Sequence, residues 1–249
     1  MDKYQRERLG ETRLNNAGLE MKIIKYNSAT DIDIQFIKSG YISYNNKYYN
    51  FVRGTVKDHR HPSHFGLGYT DGEDTGRVIN GKWVDDYEYD IWSGLFVRCY
   101  SEKKLKRCRT YREVEVAEEW HNYKNFKRWH KENYYEIEGE KMCLDKDILA
   151  KGNKIYSPDT CIYVPEKINL LFKKVSIKRD LPSGVFLHGK TGKYKSIHRS
   201  QMLGIYDSIE EASRAYKEAK EQYIKQVADE YKDKIPKKLY DAMYNWKER

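Results

Sequence analysis

Leu144-Asp145-Lys146-Asp147-Ile148 is the stretch that decides the fold of the middle of the chain. Apolar residues flank three charged ones, Asp145, Lys146 and Asp147, and we expect a short strand here that carries two carboxylates. A turn follows near residue 152, then an apolar segment at 161–164, and then Ile168-Asn169 at the start of a helical pattern. The order predicted over residues 140–172 is strand, loop, strand and helix.

Two carboxylates on one strand predict a metal site. Asp145 and Asp147 are two residues apart, so in a regular strand both side chains point to the same face. Asn169 on the following helix would add a neutral ligand, and oxygen ligands of this kind suit Mg²⁺ or Mn²⁺. Lys146 would point the other way, or would contact a phosphate if the strand end is distorted. The alternative is that the two aspartates only solvate a strand edge.

Composition excludes several other classes of protein. The chain is 39% hydrophobic and 34% charged, and it has no apolar run of membrane-spanning length. Its N-terminus lacks the apolar region of a signal peptide, so we expect a cytoplasmic protein with no membrane partner. The four cysteines form no Cys-x-x-Cys pair, so no zinc site is expected.

Positive charge is concentrated in one segment. The whole chain has a net charge of +9, and residues 173–206 hold eight Lys or Arg and one acid, a local net charge of +7. Such a strip attracts phosphate backbones, which predicts double-stranded DNA as the partner. The alternatives are a solvated surface and strand lysines that protect a sheet edge. The predicted DNA-binding residues are Lys173, Lys174, Arg179, Lys190, Lys193, Lys195 and Arg199.

The patterns along the chain predict an α+β fold of several modules. Strand-like alternation marks the N-terminal part, with a hairpin around Asn45-Asn46. Helices are predicted at 86–100 and 118–133, beside the strand–loop–strand–helix unit. Their predicted buried faces hold Ile91, Trp92, Leu95 and Cys99 in the first helix, and Trp120, Tyr123, Phe126 and Trp129 in the second. Three short strands and a long helix, capped by Ser208 and Glu211, complete the chain. The predicted modules are 1–56 (small β-rich module), 57–83 (linker or irregular), 84–172 (central ββα unit with flanking helices), 173–183 (basic linker) and 184–249 (three-stranded sheet and helix).

Several short motifs together resemble a known family. Residues 84–172 resemble the HNH-type endonucleases of phages and mobile introns, over about 90 residues. The matching elements are Trp92-Ser93-Gly94, Arg98-Cys99-Tyr100, Trp120-x-x-Tyr123-x-x-Phe126, Leu144-Asp145-Lys146-Asp147, residues 156–161 and Val164-Pro165-x-x-Ile168-Asn169.

The C-terminal part is similar to the AP2-type DNA-binding domain, which is often fused to such nucleases. The resemblance covers residues 184–223 and includes Gly184-Val185, Lys193-Tyr194, residues 203–207 and residues 210–216. It implies a three-stranded sheet packed on one helix, with the sheet in the DNA major groove. The hairpin between Lys193 and Leu203 is shorter than is usual in that family.

The HNH resemblance implies a catalytic set, with departures from the family pattern. The family's general base is a histidine at the end of the first strand, and Asp145-Lys146-Asp147 stands at that place. The family's middle asparagine falls near Tyr156, and Asn169 meets the final position. The implied catalytic residues are Asp145, Lys146, Asp147 and Asn169, with Mg²⁺ or Mn²⁺ held by Asp145, Asp147 and Asn169.

Three functions stay open from the sequence. The first is a phage-encoded, metal-dependent HNH-like DNA endonuclease that nicks or cuts DNA in the cytoplasm of a bacterial host. The second is a catalytically inactive DNA-binding protein derived from such a nuclease, a regulator or counter-defence factor. The third is an inhibitor that binds a protein partner.

Overall fold

The protein is described by a computed structural model, which covers residues 3–173 and 180–248. The chain forms two units, Met1–His130 and Lys131–Arg249. Both contain helices and small antiparallel sheets, so the fold class is α+β, as predicted. The predicted boundaries at residues 172 and 184 both fall within the second unit.

The first unit begins with a four-stranded antiparallel sheet in sequential order. Its alternating apolar residues bury one face, where Ile23, Ile34 and Phe51 are fully enclosed. The elements are α1 (Lys3–Arg8), β1 (Thr12–Leu14), β2 (Glu20–Ser28), β3 (Asp31–Phe36), β4 (Ile42–Asn46) and α2 (Tyr48–Val52).

Two local predictions in this unit were wrong. The segment after Asn46 is helix α2 rather than the second strand of a hairpin, because a helical turn places Phe51 in the core beneath the sheet. The region predicted to be irregular contains a hairpin of β5 (Gly76–Ile79) and β6 (Lys82–Asp85). Its turn, Asn80-Gly81, has positive φ at both residues, as a two-residue hairpin loop requires.

Aromatic side chains form the rest of the first core. The predicted buried faces of both helices are confirmed: Trp92, Trp120, Tyr123 and Phe126 are fully buried. The Trp92 indole N–H donates to the Trp120 carbonyl at 2.7 Å, which satisfies a buried donor. The elements are α3 (Tyr87–Tyr100), α4 (Glu102–Arg107), β7 (Glu115–Val116) and α5 (Tyr123–Asn133).

The second unit contains the predicted strand–loop–strand–helix order and the predicted three strands and long helix. Strands β8 and β10 pair antiparallel, with Asp145 opposite Ile162, and helix α6 packs on both strands. The elements are β8 (Met142–Asp145), β9 (Ile155–Tyr156), β10 (Ile162–Pro165), α6 (Glu166–Phe172), β11 (Val185–Leu187), β12 (Tyr194–His198), β13 (Gln201–Tyr206), α7 (Ile209–Tyr231) and α8 (Lys237–Tyr244).

One hydrophobic core joins the two halves of this unit. Val164 and Ile168 from the β10–α6 corner are fully buried against Ile224, Val227 and residues of α8. The long helix therefore has two neighbours: its N-terminal half packs on the three-stranded sheet, and its C-terminal half packs on the ββα unit. This helix positions the two halves of the candidate site.

Candidate functional site

The twin aspartates lie at a strand end, not along a strand. Strand β8 ends at Asp145, whose Oδ1 accepts the backbone N–H groups of Asp147 and Ile148, each at 2.7 Å. This is an Asx-type turn, in which a side chain competes with the sheet for backbone donors. The prediction that Asp145 and Asp147 share one strand face was therefore wrong, because the chain turns at Asp145.

Burial controls the ionisation of Asp145. Desolvation raises the pKa of this carboxyl, and the nearby charge of Asp147 raises it further. The two backbone N–H groups act in the opposite direction and lower the pKa, but burial is the largest effect. The carboxylate of Asp145 thus serves the turn and is less readily ionised than an exposed aspartate.

Lys146 is buried, and it lies in the turn after β8 rather than on a strand that would point it away from the two aspartates. The residue is 6% exposed, and its ammonium donates to both carboxylate oxygens of Asp147 at 2.8 Å. It also donates to the carbonyl of Asn153 at 2.6 Å. All three ammonium protons thus have an acceptor, which is what makes a buried lysine tolerable.

Asn153 closes the loop, and the sequence interpretation assigned it no role. Its amide donates to the carbonyls of Lys146 and Ile155, at 2.9 and 2.6 Å, and to the Thr160 hydroxyl at 3.1 Å. The side chains of Asn153 and Lys146 therefore each donate a hydrogen bond to the backbone carbonyl of the other residue across the loop. The only signal in the sequence is the Gly152-Asn153 pair, which indicates a turn and not its partners.

The donor atoms here do not fit a divalent ion shared by the two aspartates. The ammonium of Lys146 occupies both oxygens of Asp147, and a second cation beside it would be repelled. Asn169 lies half-buried on α6, next to the core residue Ile168. In residues 3–173 and 180–248, no three His, Cys, Asp or Glu side chains are grouped as metal ligands.

The predicted DNA-binding residues have different surroundings. Lys173 follows α6, while Lys174 and Arg179 lie outside the described residues. Lys190 is exposed in the turn between β11 and β12, and Lys193 pairs with Asp207 at 2.8 Å.

The outer face of the three-stranded sheet carries apolar side chains beside Lys195. Lys195 pairs across the strands with Phe186 and Ile205, so these three share one face. The other face carries Ser196, which is fully buried beside α7. Met202 and Ile205 are 56% and 42% exposed, so β13 adds exposed apolar side chains near Lys195. Leu187 is 58% exposed but pairs with Tyr194, on the same side of the sheet as Ser196.

Arg199 stands apart from the other predicted cations because its side chain is held in place. It lies at the β12–β13 turn, and its guanidinium carbon is 3.9 Å from the ring centre of Tyr223 on α7. The preceding residue, His198, contacts the rings of Tyr216 and Tyr223 edge-on, each at 5.7 Å. Burial, Arg199 and Lys220 all lower the pKa of His198, which favours its neutral form.

Comparisons of the chain with protein-family models, with curated proteins and with solved structures gave no match. The HNH-like and AP2-like resemblances thus rest on the residues quoted above. Among the helices that the structure describes, none combines the length and apolar character needed to cross a bilayer.

Proposed function

We propose that this chain is a DNA-binding protein that does not cleave DNA, built from an HNH-like ββα unit and an AP2-like sheet–helix module. The observation that carries the proposal is the ion pair between the Lys146 ammonium and Asp147. In the HNH-like interpretation, this pair stands where the family places its histidine base and metal-binding aspartate.

The chemistry of phosphodiester cleavage argues for the inactive form. Cleavage requires an activated water and a cation beside the scissile phosphate. Lys146 is a fixed monovalent cation that cannot lower the pKa of a bound water as a divalent ion does. The Oδ1 of Asp145, which would have to act as a ligand or base, already accepts hydrogen bonds from two backbone N–H groups. Lys146 and Asp145 are both engaged in holding the loop together, so neither is available for catalysis.

Positive charge on the C-terminal module supports DNA as the partner. Lys190 and Lys195 extend from the sheet region, and Arg199 is fixed against Tyr223 at the hairpin turn. Phosphate contacts from such residues set register, while side chains of the sheet face reach base edges. Ile205 and Met202 on that face are suited to contact thymine methyl groups.

A plasmid-nicking assay combined with a DNA mobility-shift assay tests the proposal. Supercoiled plasmid is incubated with the wild type, Asp145→Ala or Asp147→Ala in the presence of Mg²⁺ or Mn²⁺. We expect retarded DNA and no nicked product with any of the three proteins. Nicking by the wild type that disappears in Asp147→Ala would establish the endonuclease instead.

Exposed apolar residues favour a second candidate, binding to a protein. Met202 and Ile205 would form an apolar contact surface of the kind found at protein interfaces. The salt dependence of DNA binding separates the two candidates, because phosphate-driven binding weakens steeply as salt rises. At 20 mM salt the Debye length is roughly 20–30 Å, so charge screening is weak. If the wild type does not retard DNA even under this condition, only the protein-binding candidate remains.

A further inference from the structure

A cleft with an excess of positive charge opens in the second unit. Its volume is about 780 Å³, and its lining comes from α6, α7, the end of β12 and the turn at 139–141. The charged lining residues are Lys141, Lys167, Lys173, Arg199 and Lys220, with Glu140 and Glu166 as the acids.

The two acids of the cleft are already engaged. Glu166 pairs with Lys141 at 3.5 Å, and Glu140 accepts the Tyr231 hydroxyl. Lys167 lies against the ring of Tyr231 at 5.4 Å and is exposed to solvent. In the described part of the chain, neither Lys167 nor Arg199 forms a salt bridge with a carboxylate, so the cleft offers both cations to an anion.

Arg199 sits in a backbone conformation that its own residue type disfavours. His198 pairs with Gln201, so Arg199 and Ser200 form a two-residue loop, with φ of 48° and 65°. Loops of this type prefer Asn followed by Gly, because both positions require positive φ. Backbone strain of this sort concentrates at functional sites.

The stack on Tyr223 orients the guanidinium for binding. The guanidinium carbon lies over the ring of Tyr223, 3.9 Å from the ring centre, and an arginine that rests on an aromatic ring still has N–H donors for a ligand. Holding the side chain in advance reduces the entropy lost when it binds a phosphate. An arginine held in this way is suited to bidentate contact with a phosphodiester.

We propose that this cleft binds the phosphodiester backbone of DNA, with Arg199 and Lys167 as phosphate contacts. The inference rests on the proposed DNA-binding function and names a site for it away from the outer face of the sheet. The cations come from separate segments of the chain, so positive charge reaches the backbone from several sides of the cleft.

DNA affinity measured over a range of salt concentrations tests the cleft. The proteins are the wild type, the double variant Arg199→Asn/Lys167→Gln, and Lys238→Gln, which removes an exposed cation outside the cleft. Asn suits the positive φ at position 199, so the double variant should melt at or above the wild-type temperature.

We expect the double variant to bind a labelled duplex roughly tenfold or more weakly at 0.1 M salt. Its slope of log K against log salt should fall by about 2, one unit for each lost phosphate contact. Lys238→Gln should keep the wild-type slope, with a change well below the roughly one unit that a lost phosphate contact gives. If the double variant keeps the wild-type slope, the proposed phosphate site in the cleft is wrong, while the proposal that the protein binds DNA stands. A wild type that does not bind DNA overturns both proposals.

Acetylation footprinting of the wild type distinguishes DNA from a free anion. A saturating duplex should protect Lys167 from acetylation several-fold while Lys238 reacts as before. Inorganic phosphate at the same concentration of phosphate groups should give no protection. Equal protection by inorganic phosphate would identify a small-anion site and overturn the assignment to a DNA backbone.

Discussion

The ammonium of Lys146 lies 2.8 Å from both carboxylate oxygens of Asp147, the next residue in the chain. The two partners differ sharply in exposure: the side chain of Lys146 is 8% exposed and that of Asp147 is 49% exposed. The pair therefore has a buried cation and an accessible anion, and the two ends respond differently to substitution.

Removing the anion should cost more stability than removing the cation. Asp147→Asn leaves a buried ammonium without its charge partner, and we expect a loss of about 2–4 kcal/mol. Lys146→Met leaves an aspartate that water can reach, so its loss should be nearer ~1 kcal/mol. Urea unfolding of both variants measures the difference. If Lys146→Met is the more destabilising change, the buried ion pair between the Lys146 ammonium and Asp147 is contradicted.

Gly184 should tolerate no side chain. Its φ is +75°, and a Cβ atom there would overlap the ring of Tyr216. Because the clash and the backbone strain add, Gly184→Ala should lower the free energy of unfolding by roughly 2–4 kcal/mol. The matched control is Gly189→Ala, where φ is +56° with nothing within 4 Å, and it should lose only about 1 kcal/mol. Equal losses in a thermal-unfolding comparison would contradict the packing of Tyr216.

Stability should fall as the pH drops from 7.5 to 5.5. Burial lowers the pKa of His64, His130 and His198, so the unfolded chain takes up protons before the folded chain does. Protonation therefore favours unfolding from about pH 6.5 downwards, the ordinary histidine range. His198→Gln should lose less stability than the wild type between these two pH values, measured by urea unfolding.

Asp145 affects the pH dependence of stability in the opposite direction, and its effect is the same in the wild type and in His198→Gln. Its pKa is raised, so its contribution to stability is greatest when it is protonated and declines as the pH rises. It is unchanged in His198→Gln, so the difference between variant and wild type reports on the histidine alone. An identical pH dependence in the two proteins would contradict the burial of His198.

The start of α7 depends on one hydroxyl. Ser208 Oγ accepts the backbone N–H of Glu211 at 3.2 Å, which confirms half of the predicted capping box. Ser208→Ala should cost about 1 kcal/mol, and Ser208→Asp should restore most of it because a carboxylate can accept the same bond. Thermal unfolding of the two variants measures this, and a neutral Ser208→Ala would show that the cap adds nothing to stability.

Apolar periodicity predicted the larger elements because burial itself imposes the period. The faces of α3 and α5 that hold Trp92 and Phe126 were predicted this way. The three strands before α7 were also predicted closely, since turn residues separate them. Periodicity failed at 48–52, where one buried side chain, Phe51, decided between helix and strand.

The centre of the site could not be predicted from spacing. A two-residue interval places Asp145 and Asp147 together only if the strand continues, and the carboxylate of Asp145 ends it by accepting backbone donors. Likewise the cleft is built from Lys167 and Arg199, which are far apart in the chain. Only the shared core of α7 and the ββα unit brings them to one place.

In the loop of the ββα unit, the positive charge beside Asp147 comes from the side chain of Lys146. Chelators unfold many small domains whose structure depends on a bound metal. The positive charge in this loop is covalently part of the chain, so the loop at 145–153 should keep its shape in EDTA and in millimolar magnesium alike.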